Sequence, residues 1–313
     1  MPERHRAESG GAAAIREILE YAAVRLLLAS LRVPPYRCAI AMSEALGLAC
    51  GKAVSKWGRT AVENLRRALP DLDADARREV LNGVFRNLGR VAFALANCPH
   101  WSRRTVSEHV EFRGLEHFRQ AQSKRRGVLL LTAHLGNWEL GALAHGAVVG
   151  PLHVMVRPLK NARVDWLIER LRSAHGNQVI SKRNAARRVL RTLRENGTVG
   201  ILADQNAVRE EAVFVQFFGR TAAANKGLAQ IALRSRAAVV PATAWWDSRR
   251  RLHVVEYGPQ LDVTRSDNVA RDVRDNSQLF QLTLEDCIRR HPEQWLWIHR
   301  RWNTQPPPGE KSP

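Results

Sequence analysis

The 313-residue chain carries 45% hydrophobic and 25% charged residues, a usage that excludes a disordered tail protein, a collagen-like chain and a polytopic membrane protein. Its length suffices for a sizeable core without disulfide staples. Lys and Arg together number 49, most of them Arg, against 30 Asp and Glu, for a net charge of +19; such a surface attracts nucleic acid, anionic lipid headgroups, phosphorylated substrates or an acidic carrier protein. Cys38, Cys50, Cys98 and Cys287 have no CxxC spacing and no clustered His. They suggest neither a zinc site nor a disulfide framework, and a reducing compartment.

Residues 1–14 read as an unordered amino terminus. Residues 18–33, ILEYAAVRLLLASLRV, form an apolar stretch interrupted by Arg25 and Arg32 and closed by Pro34 and Pro35. It is too short and too charged to span a bilayer, which needs about 20 apolar residues, and no cleavage site of a secretory signal follows. Two readings stay open: a helix lying in the interfacial plane of an anionic membrane, or a helix of the core. The pattern is helical over 15–95 in three segments, separated at Pro34-Pro35 and at Leu69-Pro70-Asp71.

The pattern changes at Gly127, where GVLLLTA has the length of a buried strand. Further apolar runs follow at 152–156, 178–180, 198–203, 213–218 and 238–246. Helical stretches near 137–147, 161–175, 184–196 and 226–236 are interleaved with them, and a long helix near 269–290 precedes EQWLWIHRRW. This alternation predicts an α/β fold with a mostly parallel central sheet flanked by helices. A helical amino-terminal segment (15–110), a core (111–305) and a loose tail (306–313) make up one integrated unit.

His134 stands at the carboxyl end of the first of these strands and is followed by Leu135-Gly136-Asn137-Trp138-Glu139, where open α/β sheets place their sites. On one continuous helix His134 and Glu139 are about 140° apart. A turn at Gly136 lets them converge, so that the carboxylate holds one imidazole nitrogen and leaves the other as a base; a purely structural His–Glu pair is the alternative. The chain has no GxSxG elbow, HExxH pair, P-loop or GxGxxG, and no metal or cofactor is expected. A His–Glu dyad without a protein nucleophile suits direct attack by a substrate hydroxyl on an activated acyl group. Backbone N–H groups of Gly136 and Asn137 are candidate oxyanion donors.

LLLTAHLGNWELGA, with its HxxxxE block, resembles the lauroyl and myristoyl acyltransferases of late lipid A biosynthesis, within the lysophospholipid acyltransferase superfamily. The likeness continues in order through ENLRRALPD (63–71), FRNLGR (85–90), VMVRPLKNARVDWL (154–167), LRSAHG (171–176), ILADQ (201–205), VFVQFFGRTAAANKG (213–227) and PEQWLWIHRRW (292–302). The resemblance implies transfer of a fatty acyl chain from an acyl carrier protein thioester to a hydroxyl of a phosphorylated glycolipid, at the cytoplasmic face of the inner membrane. It also implies a membrane-associating amino-terminal helix.

On the same basis His134 is the general base and Glu139 its orienting partner. Arg157, in the R-P-x-x-N block, binds a sugar phosphate or the oxyanion; Arg172, with Lys160, Arg163 and Arg170, adds charge for a headgroup or an acidic carrier. Asp204, at the family's D-Q position, fixes an arginine or a loop near the site, and Phe218 lies in a block that lines the acceptor or acyl pocket. Trp245, Trp246, Trp295, Trp297 and Trp302 serve either as interface anchors or as core. Gln216 stands where the family often has Pro, and Ala224-Asn225 replaces its usual threonines. Two rival readings remain: an acyltransferase of another glycolipid, served by acyl-CoA or acyl carrier protein, and a basic nucleic-acid-binding protein, for which no zinc finger or RNP-like block is present.

Overall fold

A computed structural model describes residues 3–181 and 185–307. The amino-terminal part is helical: α1 (Glu3–Ser30), α2 (Tyr36–Ala53), α3 (Ser55–Ala68), α4 (Ala74–Asn97) and α5 (Arg103–His109). Helix α1 occupies most of the segment expected to be unordered. The helical region also holds one more break than expected, at Val54, where α2 and α3 meet at 91°. Pro34-Pro35 and Pro70 separate the neighbouring helices as their missing N–H groups require, and the Asp73 side chain caps α4 by accepting from the Ala76 N–H.

The core follows: β1 (Val110–Arg113), α6 (Leu115–Ser123), β2 (Val128–Thr132), α7 (Trp138–Val148), β3 (Leu152–Val156), α8 (Ala162–Arg172), β4 (Gln178–Ser181), α9 (Ala185–Arg194) and β5 (Thr198–Leu202). After these come β6 (Ala212–Phe217), β7 (Arg220–Asn225), α10 (Gly227–Ser235), β8 (Ala238–Asp247), β9 (Leu252–Tyr257) and α11 (Val269–Arg290). Seven strands form one sheet in the order β1-β9-β8-β2-β5-β3-β4, parallel throughout except for the β8–β9 pair. Strands β6 and β7 form a separate hairpin, turned by Phe218 and Gly219, both at positive φ. The mostly parallel α/β architecture is the one expected.

Both faces of the sheet are covered, which is why β2 and β5 read as unbroken apolar runs. Leu129, Leu131, Val199, Ile201 and Val239 face a cluster completed by α9, α10, α11 and the indoles of Trp295, Trp297 and Trp302. Val128, Leu130, Leu152, Val240 and Val255 face α6 and α7 on the other side. Four of the five tryptophans considered for the interface, Trp246, Trp295, Trp297 and Trp302, are buried. They are core residues.

Candidate active site

Strands β2 and β5 are parallel neighbours in the register Thr132↔Leu202. Two residues past each strand end stand His134 and Asp204, so the sheet itself brings them level at its carboxyl edge. His134 Nδ1 lies 2.9 Å from Asp204 Oδ1, and the His134 backbone N–H donates to Oδ2 at 3.0 Å. The Trp295 indole N–H donates to the same Oδ2 at 2.7 Å. The Asp204 loop is held on either side: Ala203 N–H donates to Thr132 O, and Asn206 N–H donates to Nε2 of His299.

Burial alone would raise the Asp204 carboxyl, but the charge of and hydrogen bonds from His134 and Trp295 hold it down at about 2. Burial likewise pushes the His134 imidazolium down, and the Asp204 charge and hydrogen bond outweigh it, aided by the Glu139 charge, so its pKa is raised. With Nδ1–H committed to Asp204, Nε2 is left as the basic nitrogen. It faces the Gln205 amide nitrogen at 3.4 Å, a weak contact that an incoming hydroxyl can replace. The His134 side chain is 18% exposed, enough to be reached.

Glu139 does not hold the imidazole. It lies in the first turn of α7 and faces α8, where Arg172 Nη2 and Nε donate to its two oxygens at 2.5 and 3.0 Å. A bidentate guanidinium satisfies the carboxylate more fully than one imidazole nitrogen does, which is the physical reason for this pairing. Arg172 is thereby committed to Glu139.

Gly136 and Asn137 also differ from expectation as oxyanion donors. The Gly136 N–H donates to Gln294 O at 2.9 Å and the Asn137 N–H to Ala244 O at 2.5 Å. These bonds fasten the turn onto β8 and the segment after α11, so neither amide is available. Gly136 has φ +59°, and a Cβ there would come within 1.9 Å of Ala244 O, so only glycine fits. The Asn137 side chain caps α7 by accepting from Leu140 N–H, and its amide donates to Arg90 O. It is wholly buried structural glue.

Arg157 is exposed just past the end of β3, beside a rim residue of the cavity described next. Phe218 is buried between Phe217, Trp295 and Trp297 beneath the Arg289 guanidinium. It belongs to the opposite face of the sheet and lines no part of that cavity.

The cavity lies between α7 and the sheet. Its walls are Leu130, Leu152, Val154, Gly200, Ala242 and Val255; Thr132, at the carboxyl end of β2, Trp138, Glu139 and Arg172 line it too, as do His145 and Tyr257. Trp138 joins it to the basic nitrogen, since its ring meets that of His134 edge-to-face at 5.0 Å. Among the described residues no group of three or more His, Cys, Asp or Glu is placed to hold a metal ion. A sheet-edge base beside an apolar cavity can remove a proton from a hydroxyl while an aliphatic substituent is held near it.

Sequence reasoning passed over Trp295 as a hydrogen-bond donor to Asp204, and over Gln205, Gln294 and His299. All four lie in the ILADQ and PEQWLWIHRRW blocks. That was the available signal.

Residues 12–304 match the family model of the bacterial lipid A biosynthesis acyltransferases. A lipid A biosynthesis acyltransferase of Haemophilus influenzae is 26% identical over 274 residues, covering 87% of this chain and 83% of the relative. The lipid A biosynthesis lauroyltransferase of Escherichia coli K12 is 27% identical over 284 residues, 87% of each chain. A solved 1-acyl-sn-glycerophosphate acyltransferase from Thermotoga maritima covers 80% of this chain and 96% of its own at 14% identity, with a TM-score of 0.38.

Proposed function

The chain belongs to the bacterial lipid A biosynthesis acyltransferase family, and from that premise we propose that His134 and Asp204 deprotonate a hydroxyl of a phosphorylated lipid A precursor for attack on an acyl carrier protein thioester. The observation that carries this reading is the Asp204–His134 pair, separated by one tryptophan ring from an apolar cavity. Among the described residues the hydrogen-bond partners of the His134 ring are Asp204 and Gln205, neither a hydroxyl nor a thiol, which supports direct passage of the acyl group to the acceptor. The acceptor oxygen bonds to the thioester carbonyl carbon as its proton moves to Nε2. Collapse of the tetrahedral intermediate breaks the C–S bond, and the thiolate takes the proton from Nε2. Asp204 stabilises the imidazolium between these steps.

Arg157, with Lys160 and Arg163 exposed nearby in sequence, supplies positive charge for the acceptor's phosphate. The acyl chain occupies the cavity beneath α7.

The surface supports a membrane location. Ile15, Ile18, Leu19, Leu26 and Leu27 of α1 are exposed, as are Met42 and Leu46 of α2, Trp57 of α3 and Trp166 of α8. Helices α1 and α8 pack together through Val24, Leu28, Leu167 and Leu171. Apolar side chains interspersed with Arg16, Arg25 and Arg170 suit the interface of an anionic bilayer. Among the described residues no single helix is long and apolar enough to cross a membrane, and only the bent pair α2–α3 meets that length and composition jointly; the exposed apolar and basic side chains support our reading of peripheral attachment at the cytoplasmic face of the inner membrane.

The test is incubation of the detergent-solubilised protein with labelled acyl carrier protein thioesters or acyl-CoA and a lipid A precursor or another glycolipid. Product from the parent and none from folded His134→Ala supports the mechanism. Equal product from both overturns it, and the donor and acceptor that work identify the substrates.

A further inference from the structure

We propose that the basic groove between α3 and the carboxyl-terminal segment is the docking surface for the acidic carrier protein that delivers the acyl thioester. The inference rests on the acyl-transfer reading above and gives its donor a place on the molecule.

The groove holds about 630 Å³, with Lys56, Arg59, Glu63 and Arg67 of α3 on one side and Arg300 and Asn303 on the other. The α3 positions recur every three to four residues and so form one stripe of the helix, while Ala61, Leu65 and Ala68 turn into the core. Glu63 is the one acidic residue of the described lining, and Arg67 neutralises it at 2.7 Å. Lys56, Arg59 and Arg300 are exposed and pair with no carboxylate among the described residues. Two further cations are tied to the rim: Arg209 donates to Gln305 O at 3.3 Å and Arg220 to Arg67 O at 3.0 Å. The result is a cationic surface without a counter-charge of its own.

Its position suits a donor whose tail lies beneath α7. Ala61 and Leu65 share a cluster with Leu129 and Leu131 of β2, whereas the cavity is lined by Leu130. Groove and cavity therefore belong to opposite faces of the sheet, with His134 at the edge between them. The Asn64 amide donates to Trp297 O and His299 O, both at 2.7 Å, and His299 in turn accepts from the Asn206 N–H. Thr304 and Asn206 exchange two hydrogen bonds, at 2.9 and 3.1 Å. The segment carrying Arg300 is thus fastened to the loop whose Gln205 faces the basic nitrogen.

A tail held on one face leaves the thioester at the edge and its carrier beyond, where the groove lies. The groove's lining also has no exposed apolar side chain. Attachment to a bilayer buries apolar side chains as well as charge, so this lining fits a carboxylate-rich protein surface better than a lipid one. Complementary charge of this kind speeds encounter and fixes orientation.

The experiment measures binding of acyl carrier protein to the full-length, detergent-solubilised protein, and kcat/KM with its acyl thioester and with the uncharged acyl-pantetheine thioester. The variants are Lys56→Glu with Arg59→Glu, and Arg300→Glu alone, which reports where the double variant fails to fold. Lys124→Glu with Arg126→Glu, just before the amino end of β2, removes the same charge as the double variant far from the groove. Groove variants are expected to lose about tenfold in carrier affinity and in kcat/KM with the carrier thioester, through KM. Their activity with the pantetheine thioester stays at the parent level, and the Lys124 and Arg126 variant follows the parent with both donors. A parent that binds no carrier protein, groove variants that bind it as the parent does, or an equal loss in the Lys124 and Arg126 variant overturns the proposal. Groove variants that lose only attachment to phosphatidylglycerol vesicles assign the groove to the membrane instead. A parent whose carrier binding depends on the groove, yet which transfers from neither donor, sustains the docking surface and sinks the acyl-transfer reading.

Discussion

Asp204 accepts from His134 across 2.9 Å although seventy residues separate them in sequence, because each stands two residues beyond the end of one of two adjacent parallel strands. Its carboxylate fixes the tautomer that leaves Nε2 free. Asp204→Asn keeps the volume but permits the amide to donate to Nδ1, favouring the tautomer with the proton on Nε2. Turnover is expected to fall roughly 10²- to 10⁴-fold with the melting temperature nearly kept. A loss under threefold in a steady-state assay would remove Asp204 from the mechanism.

The raised His134 pKa sets the sign of the pH dependence. Transfer needs the neutral imidazole, so rate rises with pH and the acidic limb has its midpoint above the ordinary histidine value of about 6.5. Removing the Asp204 charge in Asp204→Asn removes the leading cause that holds the pKa up, and burial then dominates. The limb of the residual activity is expected to move to lower pH. A pH–rate profile of kcat/KM for parent and variant checks this, and coincident limbs would argue that another group titrates.

Trp295 donates to the Asp204 oxygen that also receives the His134 backbone N–H. Trp295→Phe preserves an aromatic ring against Phe217 and Phe218 but deletes the donor. A lost hydrogen bond to a buried charged group costs about 2 kcal/mol, and the Asp204 carboxyl titrates higher. The expected outcome is a lower denaturation midpoint and a stability that, on acidification, is lost at a higher pH than in the parent because Asp204 protonates sooner. A pH–stability profile that superimposes on the parent's would limit Trp295 to packing.

The continuous apolar runs of β2 and β5 were legible because both faces of a parallel sheet are buried, and the Gly136 turn because only glycine tolerates its geometry. Strand β7 was not legible: RTAAAN has little β propensity and is held by its pairing with β6. The choice of His134's partner was hidden for a different reason. Spacing along the chain brings Glu139 to mind, whereas sheet register brings Asp204 to the imidazole, and register between distant strands is not written in either segment alone. Arg172 then decides the role of Glu139. The fate of the Gly136 and Asn137 amides was equally invisible, since their acceptors, Gln294 O and Ala244 O, come from more than a hundred residues away.

The Glu139–Arg172 pair separates charge balance from catalysis. Glu139 is nearly fully buried and Arg172 about one quarter exposed, so removing either alone strands a charge at the cavity rim. Each of Glu139→Gln and Arg172→Met is expected to destabilise the fold by about 3 kcal/mol, the lower end for a broken buried pair. The double variant leaves no stranded charge and is expected to recover at least half of that loss by chemical denaturation, with the His134 acid limb near its parent position because the Glu139 and Arg172 charges act on the imidazole in opposite senses. If Glu139 instead served as the direct partner of His134, the double variant would refold as stably as the parent and still lose turnover as severely as Asp204→Asn does.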